Sequence, residues 1–227
     1  SPGPAVGRRL ALRVVNDENV ATFFVRGEGG AWRKAVSYEV AGYNHNMADG
    51  FVSLRPAVFA AGGGEVVLAG GTFLTGAIRI GANTILRIEE GATLQGSPDL
   101  ADYPIVQVRW EGRWVPGYIG LVWAQGARNI VITGKGAIVA AEAIKGRVQK
   151  ETGLRHPALL EFVDVQGLVV ADLKTQQNDM WSIHPVFCED VVFRNVVVNG
   201  RADGIDVDSC RRVVIDHCDF DTVDDCI

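Results

Sequence analysis

Like residues recur along this chain at an interval of 22. Setting SIHPVFCEDVVFRNVVVNG over GIDVDSCRRVVIDHCDFDT places Ile183 on Ile205 and then on Ile227, Cys188 on Cys210, Val191 on Val213 and Phe193 on Ile215, each 22 residues apart. Further back the register loosens: Ile85 to Ile130 is 45 residues, about two such steps, and Ile130 to Val169 is 39, a drift that insertions of unequal length explain. The repeating unit consists of short β-branched runs bounded by glycine, such as EVVLAGGTFL, NTILRIEEGATL and NIVITGKGAIV, with little helical pattern. A period near 22 with two or three strands per unit fits a solenoid whose coils stack as parallel sheets. An antiparallel sandwich needs hairpin turns every ~8–12 residues and gives no reason for like residues to recur at this interval.

The expected fold is therefore all-β, a parallel β-helix over residues 62–227 preceded by a small antiparallel segment over 1–61. That front segment holds the runs RLALRVV, VATFFVRG, AVSYEVAGY and GFVSLRPAVFAA outside the repeat register, and AAGGGE at 60–65 reads as the boundary. GKG at 134–136 lacks the strand-loop-helix context of a phosphate loop and reads as a turn.

Composition narrows the function. A net charge of −5 with scattered basic residues gives no footprint for nucleic acid, and no apolar run approaches the ~18 residues of a membrane span. All four cysteines follow residue 187 with neither CxxC nor paired histidine spacing, so no zinc site is indicated, and no motif points to a cofactor. Cys188 and Cys210 are expected to stack as free thiols in an inward ladder. The opening residues lack the order of segments seen in secretory signals.

The stacking gives the aspartates their meaning. Residues one coil apart lie at the inter-strand spacing of ~4.8 Å. Asp203 and Asp225 each sit two residues before the stacked Ile205 and Ile227, so they are expected to stack. Two carboxylates so close cannot both ionise cheaply, which favours a functional over a stabilising role. Asp224 adds a third carboxylate pointing another way. Together they offer a base that holds water and a separate acid across a bond. Asp216, Asp219 and Asp221 read as turn or solvent residues, whereas the pattern leaves Asp206 and Asp208 unplaced.

At these residues the chain resembles the polygalacturonases of glycoside hydrolase family 28. ADGIDVDSC is similar to that family's Asn-Thr-Asp-Gly segment and VDDCI to its Asp-Asp segment, while GGTFLTGAIRI, LRIEEGATLQGSPDLADYP and DMWSIHPVFCEDVVFRNV resemble bacterial members, over about residues 62–227. The resemblance implies a right-handed β-helix that hydrolyses α-1,4 galacturonosyl or related pectic linkages with inversion, on pectic polysaccharide or oligogalacturonides and in a secreted or periplasmic setting. It gives Asp224 the role of general acid and Asp203 and Asp225 that of carboxylates activating water. Arg201-Ala202 stands where the family has Asn-Thr, which bears on substrate contacts. His184 then reads as a groove residue or as a structural histidine, and Trp181, below Asp203, as a sugar platform or as a buried tryptophan.

The family's Gly-His-Gly and Arg-Ile-Lys segments are not met before Ile227. The reading is thus of an incomplete catalytic domain with little turnover, prone to self-association through its strand edges. Two alternatives stay open: a calcium-dependent pectate lyase, with Arg201 as the nearby candidate base, and a non-catalytic carbohydrate-binding β-helix. The front segment has a separate resemblance. LRVVNDENVATFF, YEVAGYNHN and FVSLRPAVFAAGGGEV are similar to the closing half of the concanavalin-like β-sandwich that follows the catalytic domain in some family 43 arabinosidases and xylosidases.

Overall fold

Short β-branched runs separated by residues that tolerate a left-handed backbone build a stack of coils. The structure, a computed structural model, describes residues 10–17, 20–27, 29–39 and 63–227. An antiparallel front piece comprises β1 (Leu10–Asp17), β2 (Val20–Gly27) and β3 (Arg33–Glu39). The first coil holds β4 (Gly64–Ala69), β5 (Gly71–Thr75) and β6 (Ile78–Arg79). The second holds β7 (Thr84–Ile88), β8 (Ala92–Gly96), a hairpin of β9 (Ile105–Trp110) with β10 (Arg113–Tyr118), and β11 (Val122–Gln125). The third holds β12 (Arg128–Thr133), β13 (Ala137–Val139) and β14 (Leu160–Val163). Then come β15 (Gln166–Asn178), β16 (Ile183–Val186), β17 (Glu189–Gly200), β18 (Arg211–Asp216) and β19 (Asp219–Thr222).

Every pairing between coils is parallel, in three sheets. The first runs β4-β7-β12-β15-β17-β18, the second β5-β8-β13-β15-β17-β19 through the far halves of the two long strands, and the third β6-β11-β14-β16, extended by bridges from Ile183 to Ile205 and Val186 to Asp208. Parallel crossovers of this kind wind right-handed, which makes the fold a right-handed parallel β-helix. The 22-residue register holds where it was clearest: Val191 pairs with Val213 and Phe193 with Ile215. Earlier it is corrected. Ile85 pairs with Val131, so the 45 residues from Ile85 to Ile130 are one coil carrying the β9–β10 hairpin, not two, and the register slips by one.

Two corners repeat the same left-handed turn in every coil they cross. One column is Gly63, Asn83, Asn129, Gly167, Asp190 and Arg212, all with positive φ, and a second is Gly70, Gly91, Lys135, Asp172, Asn195 and His217. Glycine, asparagine and aspartate enter this region at least cost. Asparagine also ties neighbouring coils, as Asn129 Nδ2 donates to Asn83 Oδ1 at 2.8 Å. Between corners, alternate residues point inward, and the ladder Val66, Leu86, Ile132, Val170, Phe193 runs through the buried core. Each such side chain contributes roughly 1.5–3 kcal/mol by leaving water.

Cys188 and Cys210 stack as expected, with free thiols and the Cys188 N–H reaching Cys210 Sγ at 3.2 Å. At the front, β1 pairs antiparallel with β2 and in parallel with β4, so Val14 enters the core and Phe23 packs against it. Of the boundary expected at 60–65, Gly64 and Glu65 open β4, while residues 40–62, which hold most of the second half of the front segment, lie outside the described residues.

Candidate active site

Backbone hydrogen bonds set the aspartates in columns. The Ser182 N–H donates to Asp203 O at 3.0 Å and the Gly204 N–H to Asp225 O at 2.8 Å, so Trp181, Asp203 and Asp225 succeed one another from coil to coil. The next outward column holds Glu161, His184 and Asp206, from the pairing of Glu161 with His184 and the bridge between Ile183 and Ile205. Asp224 and Asp225 are exposed and Asp203 is half-buried.

A cation joins this group that the repeat gave no reason to expect. Arg147 belongs to the long excursion between β13 and β14, and its Nη2 donates to Asp203 Oδ1 at 3.3 Å and to Asp224 Oδ2. The segment is fixed from two sides. The His156 N–H donates to Arg147 O at 2.9 Å and its ring Nδ1 lies 2.9 Å from Gly146 O, while the Gly146 N–H donates to Asp179 Oδ2 at 2.9 Å. One guanidinium thus holds carboxylates from two successive coils around a single spot.

Asp206 sits beneath that spot in a different state. Burial, then the charge of Asp203 and a hydrogen bond with it, push the Asp206 carboxyl up to about 8, with Glu111 adding to the effect and Arg147 opposing it. At neutral pH Asp206 is thus largely a protonated donor beside Asp203.

Below lies a fully buried ion pair. Arg155 Nη2 donates to Glu161 Oε1 and Oε2 at 2.8 and 2.9 Å, the Gly120 N–H donates to Glu161 Oε2 at 2.9 Å, and His184 Nδ1 lies 3.4 Å from Glu161 Oε1. Burial alone would raise the Glu161 carboxyl, but Arg155 and His184 outweigh it and hold it below the ordinary value. Arg155 also donates from Nη1 to Arg109 O at 3.1 Å, which ties the β9–β10 hairpin to the stack.

The substrate-contact candidates are differently placed. His184 is 1% exposed and Trp181 6%, with their rings edge-to-face at 4.6 Å, so both lie under the aspartates instead of offering a face to a sugar. Arg201 is exposed and donates from Nη1 to Asp179 Oδ1 at 3.2 Å, beside the loop of Arg147. Asp208 accepts from Arg109 Nε at 2.8 Å, which with Ser209 holds its carboxyl below the usual range despite partial burial. Asp216 and Asp221 lie along the outer face, paired with Arg194 and Asn199 at 3.1 and 3.2 Å.

The chain has relatives of known kind. The sequence model described as Glycosyl hydrolases family 28 matches residues 71–227. A curated protein of Vitis vinifera named "Probable polygalacturonase" is 22% identical over 182 residues, which covers 73% of this chain and 36% of that protein. The chain therefore spans about a third of the length of the curated relative it matches. Among solved structures, a hyperthermoactive exopolygalacturonase from Thermotoga maritima is 27% identical with a TM-score of 0.63, over 71% of this chain and 46% of that one. A family 28 exopolygalacturonase from Yersinia enterocolitica is 18% identical with a TM-score of 0.67, over 92% of this chain and 49% of the other, a likeness of fold. With a family model matching residues 71–227, well over half of its length, the chain belongs to glycosyl hydrolases family 28.

Proposed function

We propose that the protein is a pectin-degrading hydrolase of polygalacturonase type that cleaves α-1,4 galacturonosyl or related linkages with inversion. The observation that carries this reading is the placement of Asp203 and Asp224 on one guanidinium, which brings carboxylates of two coils to the same spot on the surface. Asp224, the more exposed, protonates the leaving oxygen; Asp203 and Asp225 hold and activate the attacking water. Asp206 supports this division, since a protonated neighbour donates to Asp203 without adding a further negative charge.

Trp181 and His184 serve the site from beneath by fixing the height of Asp203 and Asp206, and Arg201 serves it at the rim, where its guanidinium is open to a substrate carboxylate. The partner is a pectic polysaccharide or oligogalacturonide, and the place of action is outside the cytoplasm. Strand β1, paired in parallel with β4, acts as the element that covers the edge of the first coil. The test is Asp224→Asn in the purified protein, with release of reducing ends from polygalacturonate as the readout. The variant is expected to lose ~10²–10⁴ of the rate, the range of a general acid. Full activity would remove Asp224 from this role.

A further inference from the structure

The hairpin β9–β10 leaves the coil stack beside the aspartates and carries an aromatic surface for which the acid/base chemistry has no use. Trp114 and Phe187 are each 44% exposed, with ring centroids 6.4 Å apart and planes tilted by 39°. The Arg109 guanidinium lies 5.7 Å from the Trp114 centroid and 5.2 Å from that of Phe187. Its position is fixed twice, by Nε donating to Asp208 Oδ2 at 2.8 Å and by its own carbonyl accepting from the fully buried Arg155.

Phe187 is held against local preference. Its φ is 52°, at a corner whose other coils place Gly126, Asp164 and Ser209. A bulky side chain in the left-handed region is an outlier, and glycine would sit there relaxed. The chain keeps both the strain and an exposed ring. The surface also borders the reacting groups: Asp208 follows Asp206 by two residues, and Glu111 at the hairpin tip is close enough to act on Asp206.

We infer that Trp114, Phe187 and Arg109 form an accessory site on the flank of the aspartate cluster that binds a pyranose ring bearing a carboxylate. An apolar ring face of a sugar packs on exposed aromatic planes. With Nε committed to Asp208, the Nη groups of the Arg109 fork serve the ligand's carboxylate, a bidentate match that a neutral sugar lacks. Rigid support from a buried arginine and a strained corner is what a preorganised site requires. The inference rests on the reading of the substrate as a polyuronate.

The test is titration calorimetry of trigalacturonate and neutral maltotriose into the 227-residue chain, its Trp114→Ala and Phe187→Gly variants and Asp224→Asn. The wild-type chain is expected to bind trigalacturonate saturably and maltotriose at least tenfold more weakly. Trp114→Ala and Phe187→Gly should each lose roughly tenfold in affinity. Phe187→Gly relieves the corner, so its Tm should not fall. Asp224→Asn should still bind. No saturable binding, unchanged affinity in both aromatic variants, or equal binding of maltotriose would overturn the site. A lower Tm of Phe187→Gly with unchanged affinity would overturn the part given to Phe187. Binding that behaves as expected in a protein that releases no reducing ends supports this site while removing the hydrolytic reading, so the two fail separately.

Discussion

Asp206 shows how much one side chain can hold that a repeat does not display. Its carboxyl is ordinary in the unfolded chain, near ~4, and is pushed up to about 8 in the fold by burial and by Asp203. Between those pH values the folded chain holds a proton that the unfolded chain has lost, so this group's contribution makes stability fall as pH rises from ~4 to ~8. Asp206→Asn cannot ionise and keeps a donor. Its Tm relative to wild type is therefore expected to rise from pH 5 to pH 8 in parallel scanning calorimetry. The same difference at both values would contradict the assignment. Alternation along a strand tells which way a residue points but not how deep it lies, and for that reason the sequence left Asp206 unplaced. Arg147 was illegible for another reason. It sits in an excursion outside the repeat, where no register ties it to the aspartates.

The element that organises the site is the buried set of Arg155, Glu161 and His184, which links the β9–β10 hairpin, β14 and β16. Two charges removed from water are held by each other, by backbone groups and by His184, so taking one of the pair away leaves the other without its counter-charge. Arg155→Ala is expected to cost ~3–5 kcal/mol in urea unfolding, whereas Arg155→Met combined with Glu161→Leu should cost clearly less, because no lone charge remains. A double variant as unstable as the single would point to packing and not charge. Sequence signalled none of this, since Arg155 and Glu161 are six residues apart and meet only because the chain turns into β14 between them. The corners were partly legible. Asn83, Asn129 and Asn195 carry the chemistry of a left-handed turn, but Lys135, Phe187 and Arg212 occupy the same turns without it, held there by register with the neighbouring coils.

At the scale of the molecule, the 22-residue period was enough for the solenoid, because a stack of parallel strands is the arrangement in which that interval returns each residue to its own column. The period blurred where the hairpin and the excursion before β14 lengthen a coil, and Arg109 and Trp114 of the accessory surface, like Arg147, lie on those insertions. Among the described residues, β18 and β19 pair on one side only. Unpaired parallel edges recruit further strands. Sedimentation velocity of the 227-residue chain is expected to show association that grows with concentration, and a single monomeric boundary at all concentrations would count against it.

The central claim is a reaction type, and product chemistry reads it directly. Polygalacturonate would be digested with the purified protein, with calcium and with a chelator, and the first products followed by proton NMR and by ultraviolet absorbance of unsaturated uronates. Hydrolysis by the aspartates predicts saturated products in both conditions, with new reducing ends appearing first as the β-anomer from an α-linkage. Unsaturated uronates formed only with calcium would contradict the account, as would reducing ends that appear first as the α-anomer.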